Sequence, residues 1–322
     1  MARVLVAGLG DIGLEIVKTA GLHPDADIVG AVDIDPERAR AGLGALSGLA
    51  ELSDVPVDTE LGNCLSETRP DVVVLSTSSR FEPVARDTIT CFEAGASVIT
   101  TCEEMTYPYG RAGADALADV ALRTRKAVVG VGVNPGFVMD YLPAFLSLAS
   151  RKIEQVTIDR KVDLNRRRPA LRKKAGVGLL EGEFRELASA GSIGHVGLDA
   201  SARLLADALG FSFEWPSVDI DPILASNDRA VVGFHQRTGW EATVSSPGIA
   251  LHLEMSTELE SEYDRITIVG SPSFEAVVEG GIAGDVATAA IVVNAIPRLL
   301  ETTPGVKTVL DLRAPRAWLP GT

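Results

Sequence analysis

The chain has 322 residues, of which 46% are hydrophobic and 23% are charged, and its formal net charge is −14 at pH 7. This composition is typical of a globular protein long enough for two domains, and the strong negative charge argues against nucleic acid as a partner. Cys64, Cys91 and Cys102 lack C-x-x-C spacing, so we expect neither a disulfide framework nor a metal site. No apolar run approaches about 18 residues and the first residues enter a strand directly, so we expect a cytoplasmic protein without a signal peptide or a membrane partner.

The first predicted elements are a buried strand, a glycine-rich turn and an amphipathic helix, in the stretch RVLVAGLGDIGLEIV. Gly8, Gly10 and Gly13 have the G-x-G-x-x-G spacing of dinucleotide-binding folds, which permits a tight turn, close approach of a diphosphate and close helix packing. Asp11 and Ile12 open the helix whose N–H groups would face that diphosphate. The alternative is an ordinary strand, turn and helix capped by Asp11.

Asp33 supplies the second half of the dinucleotide pattern. It ends the next predicted strand, DIVGAVD, where a carboxylate can accept hydrogen bonds from the ribose hydroxyls of the cofactor. A 2′-phosphate would meet this carboxylate at like charge, so the sequence favours NAD over NADP. Arg38 and Arg40 could offset part of that repulsion, and use of both cofactors stays open.

Three further apolar runs, DVVVLST, SVITT and AVVGVGV, alternate with helical patterns and complete a predicted parallel sheet. The sequence therefore predicts an α/β fold with an N-terminal Rossmann domain built on a doubly wound parallel sheet. Ligands bind at the carboxyl ends of such strands. The candidate cofactor-binding residues there are Ser76, Thr77, Thr101, Cys102 and Asn134.

Two stretches that follow predicted strands could carry chemistry. VITTCEEMTYP places Glu103 and Glu104 side by side, and the repulsion between adjacent carboxylates favours uptake of a proton by one of them. The alternative is a helix N-terminus, where glutamates complement the helix dipole. In VGVNPGFVMD, Asn134 offers both a donor and an acceptor, and the following Pro135 and Gly136 are equally typical of a purely structural turn.

The pattern changes after about residue 150. Residues 153–163, IEQVTIDRKVD, alternate like a half-exposed strand, as do three later stretches, and residues 181–210 predict two helices broken at 191–194. This indicates a second α+β domain with a mainly antiparallel sheet. His195, between glycines at the start of the second helix, is a candidate site residue or a structural histidine. The basic run over 160–174 is typical of a solvated loop or of a mobile flap over an anionic ligand.

A last helix over 284–302, capped by Asp285, is expected to return to the first domain. We therefore predict a dinucleotide-binding domain over 1–134, a substrate-binding and dimerisation domain over 135–283, and a C-terminal helical segment over 284–322. This arrangement leaves one face of the second sheet uncovered, which predicts a homodimer through the second domain.

Together these stretches resemble the 2,4-diaminopentanoate dehydrogenases and the related native amine dehydrogenases, a dihydrodipicolinate-reductase-like group. The resemblance is carried, in this order, by GLGDIG, VDIDPERARAGLG, TTCEEMTYP, GVNPGFVMD, GSIGHVGLDASARLLADALG and GIAGDVATAAIVVNAIP. It implies a homodimer that uses NAD or NADP for the oxidative deamination of an amine, or for the reductive amination of a ketone or aldehyde with ammonia. The paired-histidine motif of dihydrodipicolinate reductase itself has no counterpart here.

The resemblance also implies roles for particular residues. A carboxylate of the CEE motif would be catalytic. The similar CEKP motif of sugar oxidoreductases has its lysine at the position of Glu104, so Glu104 is the preferred catalytic residue and Glu103 is the alternative. Other residues receive softer assignments. The substrate candidates are Asn134, His195, Phe137 and Val138, and Asn294 joins the cofactor-binding candidates.

Two other functions stay open on the sequence alone. A different NAD(P)-dependent oxidoreductase, acting on an amino-acid semialdehyde or a cyclic imine, would need the same cofactor fold with another pocket. A non-catalytic dinucleotide-binding sensor would bind the cofactor without turnover. Dependence on ammonia separates the first from an amine dehydrogenase, and absence of turnover would identify the second.

Overall fold

The computed structural model describes residues 1–226 and 230–314, and the chain divides into two compact units. Unit 1 combines Met1–Gly136 with the chain from Ala283 onward, and unit 2 is Phe137–Ile282. Of the predicted C-terminal segment, residues 315–322 lie outside the described residues. No helix in the described ranges is both long and apolar enough to span a membrane.

The elements are numbered along the chain. The strands are β1 (Ala2–Ala7), β2 (Ala26–Val32), β3 (Val57–Asp58), β4 (Val72–Leu75), β5 (Ser97–Thr100), β6 (Ala127–Gly130), β7 (Ile153–Asp163), β8 (Val218–Leu224), β9 (Val231–Trp240), β10 (Gly248–Ser256), β11 (Tyr263–Gly270), β12 (Phe274–Glu279) and β13 (Gly305–Lys307). The α-helices are α1 (Asp11–Gly21), α2 (Pro36–Ala41), α3 (Leu43–Ser47), α4 (Leu61–Thr68), α5 (Phe81–Glu93), α6 (Ala114–Thr124), α7 (Tyr141–Ser147), α8 (Pro169–Lys174), α9 (Glu181–Ser189), α10 (Leu198–Ala208) and α11 (Gly284–Leu300).

Unit 1 contains a seven-stranded parallel sheet in the order β3-β2-β1-β4-β5-β6-β13. Six of these strands have the order of a doubly wound dinucleotide-binding fold, and the predicted Rossmann sheet is confirmed. Every residue of β4, β5 and β6 is buried, as expected for strands covered on both faces. The sequence did not predict β3 and β13, because strands of two and three residues carry no periodic pattern.

Two helices of unit 1, α1 and α11, begin at the residues that the sequence predicted, but their N-caps are not the predicted aspartates. Gly10 and not Asp11 is the N-cap of α1, and Asp11 is the first helical residue. Asp285 does not cap α11, because the helix begins at Gly284 after the N-cap Ala283. Both carboxylates instead lie in the first turn, where they complement the helix dipole. The helix α11 packs against α1, which places this late segment within unit 1.

Unit 2 contains a six-stranded mixed sheet in the order β12-β11-β7-β10-β9-β8, in which only the β7–β10 pair is parallel. The bounds of β7 are those predicted, and the alternating pattern of IEQVTIDRKVD matches its alternating burial. The predicted break between two helices is also found, since α9 ends at Ser189 and α10 begins at Leu198. The helix α10 packs on β9 and β10 and closes the core of this unit.

The basic run over 160–174 is not one continuous solvated loop in this structure, and a flap over an anionic ligand stays a prediction. It comprises the end of β7, a 3₁₀ turn and α8. Arg160 is buried and lies 2.6 Å from the buried Asp264, and Arg167 lies 2.8 Å from Glu262. The Asp264 and Arg160 side chains also bond the backbone N–H and C=O of Ile282, at 2.8 and 2.9 Å. Acidic partners on and before β11 therefore hold the first part of the run in place.

Candidate active site

The glycine-rich turn after β1 has the geometry that the dinucleotide pattern requires. Gly8 adopts a positive φ of 89°, and a side chain at Gly13 would place its Cβ 1.7 Å from the Gly8 carbonyl oxygen. A Cβ at Gly10, in contrast, would meet nothing within 4 Å. Gly8 and Gly13 are therefore needed for the turn and for helix packing, whereas Gly10 leaves open space beside the N-terminus of α1.

Asp33 follows β2 and is held against this turn. Its Oδ2 accepts a hydrogen bond from the Leu9 backbone N–H at 2.7 Å, and its Oδ1 accepts one from the Asp35 N–H at 2.9 Å. The Arg38 guanidinium donates to the Leu9 carbonyl oxygen and so lies over the same turn. Ile34, beside the carboxylate, is 89% exposed. An anionic group, a cation and an apolar surface thus surround the position where a Rossmann fold receives the adenosine half of a dinucleotide.

The other predicted strand-end residues differ in what they offer. Ser76 Oγ donates to the Gly8 carbonyl at 2.8 Å and ties the end of β4 to the turn after β1. Thr77 is exposed, and the Thr101 N–H continues the bonding between β5 and β4. Cys102 is buried, and burial raises the pKa of its thiol to about 12, so the thiol stays neutral.

Glu103 and Glu104 lie on a 3₁₀ turn just after β5, not on an α-helix. The Glu104 carboxylate contacts three donors: Phe81 N–H at 2.7 Å, Arg80 Nη1 at 2.9 Å and Arg111 Nη1 at 3.6 Å. Phe81 is the first residue of α5, so this carboxylate does meet a helix N-terminus, although not that of its own turn. Both Glu104 oxygens are thus engaged by positive or N–H groups.

A small residue lets the glutamate turn approach the sheet. A Cβ on Gly130, the last residue of β6, would lie 2.5 Å from the Met105 carbonyl carbon and 2.6 Å from the Thr106 nitrogen. Any side chain at this position would therefore push the turn that carries Glu103 and Glu104 away from the end of β6.

Asn134 follows β6 in a turn with a cis peptide bond to Pro135 and a positive φ of 115° at Gly136. The Val133 N–H donates to Thr288 Oγ1 of α11 at 3.2 Å, which fixes the chain just before Asn134. The Asn134 Oδ1 atom is buried and has no hydrogen-bond partner among the described residues. A buried acceptor left in this state is unfavourable unless a bound group donates to it.

Five of the candidate site residues come just after neighbouring strands of the unit 1 sheet. In the sheet order β2-β1-β4-β5-β6, they are Asp33, Gly8, Ser76, Glu104 and Asn134. Because parallel strands end at the same edge, these residues form one row along the carboxyl edge of the sheet. Asp33 lies at one end of the row, and the glutamate pair of Glu103 and Glu104 with the Asn134 amide lies at the other. Asn294 lies on α11 and is partly exposed.

The remaining predicted residues lie in unit 2. Val138 is fully buried in its core among residues that include Ile158 and Leu198, so packing explains it, whereas Phe137 is partly exposed at the margin of the same cluster. His195 lies in the glycine-rich connection between α9 and α10. Its backbone N–H and C=O both bond the side-chain amide of Gln236, each at 2.8 Å.

Sequence reasoning missed the residues that hold the predicted ones. Arg80 comes three residues after the stretch DVVVLST, and extending that stretch past the strand end would have found it. Arg111 and Gln236 carry no local signal, because they reach Glu104 and His195 only through the folded chain.

Comparisons with known proteins agree over most of the chain. The family model for the 2,4-diaminopentanoate dehydrogenase C-terminal domain matches residues 137–322. The 2,4-diaminopentanoate dehydrogenase of Acetoanaerobium sticklandii is 28% identical in an alignment of 342 positions that covers 98% of this chain and 94% of the relative.

Two solved structures are similar in fold. The amine dehydrogenase of Mycobacterium smegmatis superposes with a TM-score of 0.85 at 23% identity, covering 98% of this chain and 97% of that chain. A WlbA dehydrogenase from Chromobacterium violaceum, solved with NADH and UDP-GlcNAcA, has a TM-score of 0.53 at 19% identity. The superposition covers 99% of this chain and 78% of the WlbA chain.

We expect Gly130→Ala to reduce stability by about 1–3 kcal/mol, because the added methyl group would overlap the backbone of Met105 and Thr106. Urea unfolding followed by circular dichroism measures this. Gly62→Ala in α4 is the matched control, since a Cβ there meets nothing within 4 Å and alanine is favoured over glycine in a helix. Equal effects of the two variants would contradict the crowding at Gly130.

Proposed function

Since the chain belongs to the 2,4-diaminopentanoate dehydrogenase family, we propose that it is an NAD(P)-dependent amine dehydrogenase. It oxidises the carbon that bears the amino group of a small amine to a carbonyl and releases ammonia. In the reverse direction it aminates a ketone or aldehyde reductively. The observation that carries this proposal is the row of cofactor-type and carboxylate residues along one sheet edge of a chain in this family. The comparisons give no support to the semialdehyde, cyclic-imine or sensor alternatives. A cytoplasmic location stays a prediction.

The residues present fit a nicotinamide dinucleotide. The open space at Gly10 and the N-terminus of α1 would receive the diphosphate, and Asp33 the adenosine ribose. The buried, unpartnered Asn134 Oδ1 suits a donor such as the carboxamide N–H₂ of the nicotinamide. When bound, NAD(P) supplies the chemistry that the protein lacks, namely acceptance or donation of a hydride.

The protein must manage protons and charge in this reaction. An amine arrives largely as an ammonium ion, which must lose a proton before a hydride can leave its carbon. The iminium that results is a cation, and water must then lose a proton as it adds to that carbon. A carboxylate beside the substrate can accept these protons and stabilise the cation. We propose that the Glu103 and Glu104 pair supplies this group.

The contacts of Glu104 support a division of roles within the pair. Accepting a proton would cost Glu104 its ion pair with Arg80 and its bond from the Phe81 N–H. Arg80 and Arg111 also offset the negative charge of Glu104, which a cationic iminium would need for its stabilisation. We therefore propose Glu103 as the proton carrier and Glu104 as the residue that fixes the turn. The preference for Glu104 drawn from the sequence stays as the competing prediction.

A panel of small amines, assayed with NAD and NADP at alkaline pH, tests the function. We expect reduced cofactor to appear with at least one amine, and the reverse reaction to require ammonia. Turnover of a carbonyl or cyclic imine without ammonia would indicate the other oxidoreductase class. Dinucleotide binding without any turnover would indicate a sensor.

We expect Glu103→Gln to lower kcat by roughly 10²–10⁴-fold, because glutamine keeps size and hydrogen bonding but cannot take up the proton. NADH affinity, measured by fluorescence titration, should be unchanged. Glu104→Gln should lower the melting temperature, because the neutral amide loses the ion pair with Arg80 and keeps one oxygen acceptor where both carboxylate oxygens now accept. A larger kcat loss in Glu104→Gln at unchanged melting temperature would return the catalytic role to Glu104, and full activity in both variants would exclude the motif from catalysis.

We propose that the enzyme prefers NAD. At about 4 Å a 2′-phosphate would be repelled by Asp33 by roughly 1–4 kcal/mol, which Arg38 over the same turn could offset only in part. We expect higher kcat/KM with NAD, and Asp33→Asn should raise the NADP to NAD ratio. Asp119→Asn is the control, because Asp119 is an exposed residue of α6, which packs on α5 and β13, and its variant should leave the ratio unchanged. Higher kcat/KM with NADP in the wild-type enzyme would contradict the proposal.

We also propose a homodimer through the unit 2 sheet. One face of this sheet carries partly exposed charged side chains in pairs, including His252 with Asp159 at 2.9 Å and Lys161 with Glu254 at 2.8 Å. Such a face offers both signs of charge to a second copy. Light scattering at micromolar concentration should give about twice the monomer mass, and Arg237→Glu on this face should weaken the dimer. A single species near 33.9 kDa would contradict it.

A further inference from the structure

The outer face of the unit 2 sheet carries a row of side chains that crosses five strands. Neighbouring members lie directly opposite each other in the strand register, so all of them point to the same face. We call this set the charge row. In the strand order β11-β7-β10-β9-β8, its members are Arg265, Asp159, His252, Arg237 and Asp219.

The charge row is open to a partner at its centre. Asp159 and His252 lie on the two middle strands of the sheet, yet 31% and 45% of their side chains are exposed. The helix α10 packs on the opposite face, against Ile249 and Leu251 of β10. No part of the chain that the structure describes therefore covers the middle of the outer face.

The charges on the two sides of His252 are opposite in sign. One strand away, Asp159 on β7 is negative and Arg237 on β9 is positive. Two strands away, Arg265 on β11 is positive and Asp219 on β8 is negative. A two-fold axis along β10 would exchange the two sides, so each charge of one copy would face the opposite charge of the other copy.

Other positions of the axis lack this complementarity. An axis along β7 would bring Asp159 against its own copy, and an axis along β9 would do the same with Arg237. Like charges opposite each other are unfavourable. Sheets that pack face to face in the aligned manner keep their strands within about 30° of each other, which an axis along a strand permits.

The next row of the outer face is compatible with an axis along β10. The strand register there places Lys161 and His235 on either side of Glu254, and Tyr263 and Asp221 one strand further out. Lys161 would face the imidazole of the other copy, and the Tyr263 hydroxyl could donate to a carboxylate. The two Glu254 side chains would meet, but Lys161 lies 2.8 Å from Glu254 and offsets its charge within each copy.

On the basis of the homodimer proposed above, we propose that its two-fold axis runs along β10. Asp159 of each copy then pairs with Arg237 of the other, and Arg265 pairs with Asp219. His252 lies on the axis and meets its own copy. The occupant of the outer face is thus a second copy of this chain, because the charge row is complementary to its own reverse.

Mixing two charge variants tests the position of the axis. Asp159→Arg and Arg237→Glu each place like charges at both copies of the proposed contact, so each should raise the dimer Kd by roughly 100-fold. In an equimolar mixture, a heterodimer has opposite charges at both contacts and should recover a Kd within about tenfold of wild type. Native mass spectrometry distinguishes the heterodimer from both homodimers by mass.

The mixture separates contacts between copies from contacts within a chain. Asp159→Arg loses the contact with His252, and Arg237→Glu loses the 2.7 Å contact with Asp221. Each chain in the mixture still lacks its own contact, so recovery of the dimer can come only from the new pairing between copies.

Glu279→Arg is the matched control. Glu279 is exposed on the same face of β12, opposite Tyr263, and its variant changes the charge by the same amount as Asp159→Arg. The strand β12 lies three strands from β10, whereas β8 on the other side lies only two strands away. No strand of the second copy would lie opposite Glu279, so the dimer Kd should be unchanged.

Cross-linking gives a second measurement that needs no charge reversal. A residue on a two-fold axis lies close to its own copy, so His252→Cys should form covalent dimers with a short bismaleimide, and Glu279→Cys should form none. The native cysteines Cys64, Cys91 and Cys102 are buried and should not react in the folded protein. This pair of variants decides the question if either charge variant fails to fold.

A wild-type protein that is monomeric at micromolar concentration would contradict the proposed homodimer itself. A wild-type dimer whose two charge variants fail to recover on mixing would overturn the axis along β10. Equal weakening by Glu279→Arg, or a Glu279→Cys cross-link in place of the His252→Cys cross-link, would overturn it as well.

Discussion

Five neighbouring strands of unit 1 run in the same direction, and their carboxyl ends therefore meet along one edge. This parallel pairing brings together residues that are up to 126 positions apart in the sequence, from Gly8 to Asn134. Each following turn contributes one kind of group: an acidic acceptor, an open glycine backbone, a hydroxyl, a pair of carboxylates and an amide. The order of the strands thus determines the order of the chemistry along the edge.

Close approach between backbones is the second requirement of this edge. Gly8, Gly13 and Gly130 lie where a methyl group would overlap a neighbouring carbonyl or amide, and each brings a turn against an adjacent strand or helix. The charged contacts then act on turns that are already in place. Arg80, Arg111 and the N-terminus of α5 hold the Glu104 carboxylate, and in unit 2 the Gln236 amide does the same for the His195 backbone.

The elements with a regular pattern could be predicted from the sequence. Alternation defined β7 to the residue, and the glycine spacing with Asp33 indicated the turn and the acceptor that the structure contains. Short or irregular features could not be predicted, since β3 has two residues and the first turn of α11 has no side-chain cap that a pattern could mark. Arg80 could have been found as a residue just after β4, but its pairing with Glu104, 24 residues later, could not be predicted because it forms only in the folded chain.

The division of the chain affects the order in which it can fold. Unit 1 needs both its first 136 residues and the segment after Ala283, since α11 packs on α1 and β13 pairs with β6. Unit 2 is one continuous stretch with all of its sheet partners inside it. During synthesis on the ribosome, the middle of the chain can therefore close its sheet while the first part still waits for its last helix and strand. Emergence of β13, not emergence of the first strands, sets the moment at which the dinucleotide-type sheet is complete.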